Sequence, residues 1–134
     1  MAEGLLRKYA GDRFDAQSAE TEPKGLNPLA VEAMQELGID ISQQRSKDVS
    51  EFLGKVAVQY AIFVCTSADE RCPRLWPFSG KRLYWPFEDP AAATGTHEEK
   101  LAAFREVRDQ IDAQIIEWLA ELRVAGELPS APDG

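Results

Sequence analysis

The longest periodic stretch of hydrophobic positions lies near the end of the chain. Thr96 and Glu99 form the pattern of a capping box, which predicts that a helix begins there. Apolar residues then recur every three or four positions as far as about Val124, which is typical of one buried face of a helix. We expect the residues of this face to form part of a core: Phe104, Val107, Ile111, Ile115, Trp118 and Leu122.

Shorter helices are predicted earlier in the chain. Residues 2–10 are rich in strong helix formers and are followed directly by a glycine. Asn27 and Pro28 are typical of a helix cap and a first turn, and this second helix is predicted to stop at Gly38. A further short helix is predicted after Asp48, whose side chain can cap it.

Extended segments show a different pattern. Residues 61–64 are all apolar and rich in β-preferring side chains, which is typical of a buried strand of a parallel sheet. A weak alternation within 13–19 indicates a second short strand. Residues 73–83 are predicted to be a loop, and 84–87 an edge strand, because Pro86 has no N–H group to donate to a neighbour.

The order of these helices and strands predicts an α/β fold, a doubly wound parallel sheet with helices on both faces. A chain of 134 residues is long enough for one domain with its own core. We expect that domain to span residues 1–125. Residues 126–134, with their glycines and prolines, are predicted to be a disordered tail.

Composition restricts the partners. The formal net charge of −8 argues against binding to nucleic acid or to an anionic membrane. No apolar stretch is long enough to span a bilayer, and the first residues lack the pattern of a signal peptide. Two cysteines are too few for a secreted disulfide scaffold of this size, which favours a reducing cytoplasm.

The two cysteines, Cys65 and Cys72, are the first candidates for chemistry. Cys65 directly follows the apolar run 61–64, and in open α/β sheets ligands collect beyond the carboxyl ends of the strands. The pair can be two redox-active thiols or two small buried hydrophobic residues, and the spacing by itself favours the second interpretation. No metal or cofactor is predicted, because the sequence indicates no second metal ligand to accompany the only histidine, His97.

Eight short blocks carry a resemblance to a known family: Met-Ala-Glu-Gly-Leu-Leu at 1–6, Ser-Ala-Glu-Thr-Glu-Pro-Lys-Gly-Leu-Asn-Pro at 18–28, Gly-Ile-Asp-Ile-Ser at 38–42, Arg-Ser-Lys at 45–47, Val-Cys at 64–65, Cys-Pro at 72–73, Trp-x-Phe-x-Asp-Pro at 85–90 and Phe-Arg-x-Val-Arg-Asp at 104–109. In order and spacing these blocks resemble the arsenate reductases built on the low-molecular-weight tyrosine phosphatase fold. The resemblance runs from Met1 to about Ile116.

The resemblance implies an oxyanion substrate, arsenate or phosphate. In that family the nucleophile is the cysteine of a Cys-x5-Arg loop, which follows the first, central strand and leads into the first helix. The backbone amides of this loop cradle the oxyanion. Met1 matches the position just after the loop, so the strand and the loop are expected to be missing from these 134 residues. We expect the polypeptide alone to be inactive for that reason.

The resemblance also assigns roles to three residues of this sequence. Cys65 matches the thiol that attacks the arsenate adduct of the loop cysteine, and Cys72 matches the thiol that resolves the resulting disulfide. Thioredoxin is the implied reductant of the Cys65–Cys72 pair. Asp89 matches the general acid that protonates the leaving oxygen; without the resemblance it would be interpreted as a turn residue before a proline.

Three alternatives remain open. The natural start can lie upstream of Met1, or the short chain can be a non-catalytic binding or regulatory relic, which is favoured by Glu20 where the family usually has glycine. A plain tyrosine phosphatase is the third, and it needs neither Cys65 nor Cys72. A missing central strand would expose two strand edges, so we expect low stability or a homo-oligomer formed through that slot.

Overall fold

A computed structural model describes residues 1–19, 25–44, 47, 58–64 and 80–128. In these ranges the helices are α1 (Ala2–Ala10), α2 (Pro28–Gln35) and α3 (His97–Val124), the strands are β1 (Tyr60–Phe63) and β2 (Lys81–Tyr84), and Pro90–Ala92 is a short 3-10 helix. The described helices include none that is long and apolar enough to cross a membrane. The helix predicted after Asp48, the loop at 73–79, Cys65 and Cys72 lie outside the described residues.

The helix starts follow the predicted capping signals. The Asn27 side chain accepts a hydrogen bond of 2.9 Å from the N–H of Leu29 at the start of α2. At the start of α3, Oγ1 of Thr96 accepts from the N–H of Glu99 at 3.2 Å. Both predicted caps are therefore confirmed. Helix α2 ends at Gln35, and the chain then turns at Gly38, whose φ of +75° suits glycine.

Strands β1 and β2 are parallel neighbours, with Tyr60 opposite Lys81 and Phe63 opposite Tyr84. Strand β1 confirms the buried strand predicted at 61–64, although it begins and ends one residue earlier than predicted. The edge strand predicted at 84–87 is wrong in position, because β2 already begins in the predicted loop. Gly80 allows this early start, since a Cβ there would collide with the backbone of residues 58 and 59.

The strand predicted within 13–19 is wrong. The carbonyl oxygen of Ala16 accepts hydrogen bonds from Nε and Nη2 of Arg7, and the N–H of Ser18 donates to Oε1 of Glu3. Side chains of α1 therefore satisfy one edge of this segment, where a neighbouring strand would otherwise bond. The described residues contain a sheet of two parallel strands, which agrees with an α/β fold. A missing central strand stays a prediction.

The core lies where α1, α2 and the sheet pack against α3. All six residues of the stripe predicted on α3 are buried, with 1–7% of their surface exposed. Trp118 joins the helix to the sheet, because its ring centroid lies 5.1 Å from that of Tyr60 and 5.5 Å from that of Trp85. On the other face of β1, Ala61 and Phe63 are also buried, as expected for a parallel sheet.

Residues 126–128 turn back at the end of α3. Gly126 has a φ of +77°, and the N–H groups of Glu127 and Leu128 donate to the carbonyl oxygen of Leu122 at 2.8 and 3.3 Å. Leu128 packs against the core. Part of the segment predicted as tail is therefore attached to the helix, and 129–134 lie outside the described residues.

Candidate functional site

The candidate site lies at the carboxyl ends of β1 and β2. The pairing continues beyond β2, because the N–H of Trp85 donates to the carbonyl oxygen of Phe63 at 2.8 Å and that of Phe87 donates to Val64 at 3.1 Å. Val64 directly precedes Cys65, and Asp89 comes two residues after Phe87. Two of the three predicted site residues, Cys65 and Asp89, therefore follow neighbouring chain segments at the same edge of the sheet.

Asp89 caps the turn that follows this edge. Its Oδ1 accepts a hydrogen bond of 2.9 Å from the N–H of Ala91, and its side chain is exposed to solvent. The turn role expected from sequence alone is thus present. A capping bond leaves a carboxylate with further acceptor positions, so the geometry is compatible with proton transfer as well. The positions of the Cys65 and Cys72 thiols lie outside the described residues.

A buried ionic cluster at the first turn of α1 was not predicted. The carboxylate of Glu3 is only 2% exposed, and its Oε1 accepts from the N–H and hydroxyl of Ser18 at 2.7 and 3.0 Å. Nζ of Lys47 lies 3.3 Å from the same oxygen and 2.9 Å from Oε1 of Gln17. Because the charges of Glu3 and Lys47 oppose each other, the cluster can be buried without an uncompensated charge.

This cluster forms one wall of a polar cleft of about 660 Å³, which Arg7, Lys8 and Gln44 also line. The signal that points to the cluster is present in the sequence. Glu3, Ser18 and Lys47 each belong to one of the blocks that carry the family resemblance, at 1–6, 18–28 and 45–47. The N–H groups in the first turn of a helix favour an anion. Glu3 belongs to the first turn of α1, so the cluster lies beside these groups.

The block at 104–109 has a different role. Nε and Nη2 of Arg105 donate to both oxygens of Glu36 at 2.6–3.0 Å. Nη1 of the buried Arg108 donates to Glu36 and to the carbonyl oxygen of Ala33, both at 2.8 Å. Hydrogen bonds from Arg105, and then from Arg108, lower the pKa of Glu36 from 4.5 to about 2. These arginines therefore join α3 to the end of α2.

No metal centre is found among the described residues, which contain no group of three His, Cys, Asp or Glu side chains that could hold an ion. His97 instead lies beside Glu32 of α2, with Nε2 3.0 Å from the carboxylate. This contact links the start of α3 to α2.

Comparison with known proteins identifies relatives for almost the whole chain. Residues 1–127 match the family model described as low molecular weight phosphotyrosine protein phosphatase. The arsenate reductase of Halalkalibacterium halodurans is 47% identical over 115 residues, which are 86% of this chain and 81% of that protein. The arsenate reductase of Bacillus subtilis is 44% identical over 119 residues, 88% of this chain and 84% of that protein.

Solved structures show the same likeness. An arsenate reductase in the reduced state superposes with a TM-score of 0.68 at 27% identity, over 90% of this chain and 86% of that one. An arsenate reductase in the intermediate state gives a TM-score of 0.69 at 28% identity with the same coverage. The α/β arrangement of these chains is therefore shared by the protein described above.

Proposed function

We propose that this chain, which belongs to the low molecular weight phosphotyrosine protein phosphatase family, serves in the reduction of arsenate to arsenite. The observation that carries the proposal is the 47% identity to an arsenate reductase over 86% of the chain. The blocks that contain Cys65, Cys72 and Asp89 support it, because a reductase that uses a cysteine relay needs thiols that a phosphatase does not.

The proposed relay transfers two electrons from cysteine thiols to arsenic. A loop cysteine displaces water from arsenate, and Asp89 gives its proton to the departing oxygen. The Cys65 thiolate then attacks the sulfur of this adduct, so that the sulfur–arsenic electron pair passes to arsenic and arsenite leaves. Cys72 attacks the new disulfide, takes over the bond to Cys65 and frees the loop cysteine. A thioredoxin dithiol reduces the Cys65–Cys72 disulfide.

The oxyanion is proposed to bind at the first turn of α1. The N–H groups of a first helical turn favour an anion, and the Lys47 ammonium offsets the charge of Glu3 nearby. We propose thioredoxin as the protein partner, and a second copy of this chain as a partner at the edge of β1 that faces away from β2.

The experiment uses the purified 134-residue polypeptide. The single Cys-x5-Arg spacing in these residues, from Cys65 to Arg71, begins with the proposed relay thiol, and none precedes the first helix. We therefore expect no arsenate reduction and no hydrolysis of aryl phosphates by this polypeptide alone. After mild oxidation with diamide we expect one disulfide, between Cys65 and Cys72, which thioredoxin reduces. Mass spectrometry after alkylation measures both steps. C65S and C72S should each abolish the bond, whereas D89N should leave it intact.

Two results would contradict this proposal. If both thiols remain fully alkylatable after diamide while the circular dichroism spectrum is unchanged, the cysteines are structural. If the polypeptide turns over arsenate with thioredoxin, Cys65 is itself the primary nucleophile. A matched extension carrying the strand and Cys-x5-Arg loop that the family resemblance implies should be active, and D89N should then lower kcat by about 10²–10⁴-fold.

A further inference from the structure

Glu127, in the turn after α3, contacts both strands. Its Oε2 accepts a hydrogen bond of 3.1 Å from the hydroxyl of Tyr60, and its Oε1 accepts one of 3.2 Å from Nζ of Lys81. Tyr60 and Lys81 are the first residues of β1 and β2 and lie opposite each other in the sheet. One carboxylate therefore joins the end of α3 to the start of both strands.

These contacts are exposed, and an isolated exposed ion pair contributes little stability. Here the turn is already fixed by other means. The N–H of Glu127 donates to Leu122, Gly126 adopts the positive φ that the turn needs, and Leu128 packs against the core. Glu127 thus loses little further backbone freedom when it binds the strands. Hydrogen bonds from Lys81 and Tyr60, in that order, lower its pKa.

We propose that residues 126–128 form a strap that fastens the starts of β1 and β2 to α3, and that Glu127 controls local opening of this strand pair. The strap acts at the end of the strands opposite to Val64 and Asp89. Its action is independent of the arsenate chemistry proposed above, because none of the contacts that support it involves Cys65, Cys72 or Asp89.

The strap can be tested by hydrogen exchange measured by NMR on the full chain. In E127A, the amides of Ala61, Phe63 and Leu83 should exchange about two- to fivefold faster per lost contact, whereas amides of α1 and α2 should keep their rates. E121A is the matched control, because it removes a carboxylate from an exposed position in the last turn of the same helix. Its strand amides should exchange as in the wild type.

A second set of variants separates the strap from general destabilisation. E127Q keeps an acceptor for Tyr60 but loses the charge that binds Lys81, so its effect should be smaller than that of E127A. K81M and E127A should not be additive in the double variant, because they remove the same ion pair. Unchanged strand exchange in E127A, equal acceleration in all helices, or full additivity with K81M would each overturn the proposal.

Discussion

Glu3, Lys47 and Arg108 are the buried charged residues in the part of the chain that the structure describes. Each meets an opposite charge: Lys47 lies against Glu3, and Arg108 lies against Glu36 and Asp109. Burying a charge is costly unless it is paired. Substitutions at these positions should therefore cost more stability than substitutions of exposed charged residues. Together with the bonds from Ser18 to Glu3, the pair of Glu3 and Lys47 connects α1 with two other segments of the chain.

K47M should destabilise the protein by up to about 3 kcal/mol, because it removes the nearer of two cations from the buried Glu3 carboxylate and leaves Arg7, 3.7 Å from the other oxygen. E3Q/K47M should lose less than the sum of the two single variants, since neither charge is then left alone. Urea unfolding followed by circular dichroism measures both. K8M is the control, because Lys8 is an exposed lysine of the same cleft. Strict additivity would mean that the pair is not coupled.

At the scale of elements, Glu36 strengthens the contact between α2 and α3. Arg105 and Arg108 reach this residue from α3, and it caps the carboxyl end of α2. Positive charge near the last carbonyl groups of a helix is favourable, so both arginines also complement the α2 dipole. This explains why Phe-Arg-x-Val-Arg-Asp contains two arginines without placing either in the candidate site.

E36Q should lower the melting temperature at neutral pH. The pKa of Glu36 in the folded protein is about 2, below its ordinary value of 4.5. The ionised carboxylate therefore contributes stability above about pH 4.5, and that contribution is lost as the pH falls from 4.5 towards 2. The difference in melting temperature between wild type and E36Q should shrink over that interval, as followed by circular dichroism.

E106Q serves as the control for this pH series, because it removes an exposed carboxylate from the same helix. Its melting temperature should stay close to that of the wild type throughout. A gap between wild type and E36Q that persists unchanged down to pH 2.5 would show that the charge of Glu36 is not what holds α2 to α3.

For the whole molecule, the feature with the largest consequence is the edge of β1 that faces away from β2. The carbonyl oxygens of Gln59 and Phe63 accept from Lys81 and Trp85, so the main-chain groups of Tyr60 and Ile62 point to the other edge. The described residues provide no third strand there. Unpaired backbone groups cost about 1–3 kcal/mol each when buried, which favours association.

We therefore expect the 134-residue polypeptide to self-associate or to have a low melting temperature. Extending it by the strand and loop described under the proposed function should make it monomeric and raise its melting temperature. Analytical ultracentrifugation and differential scanning calorimetry measure these two effects. If the 134-residue polypeptide is already monomeric, unfolds cooperatively and is equally stable, the missing strand does not belong beside β1.

Local signals in the sequence determined the helices, their caps and the buried strand. Capping by Asn27 and Thr96 and the stripe that contains Trp118 depend on residues within a few positions of one another, so they are visible without the fold. The end of the apolar run pointed to Cys65, whereas Asp89 and the roles of all three candidate residues, including Cys72, came from matched blocks; these catalytic roles stay predictions.

Only the tertiary structure decided the pairings between distant segments. Strand β2 begins at Lys81 because its backbone can pair with β1, although local composition favours a loop there. Residues 13–19 form no strand, since side chains of α1 take their hydrogen bonds. Glu3 and Lys47 are 44 positions apart, and their pairing depends on how the chain folds, which no local pattern encodes.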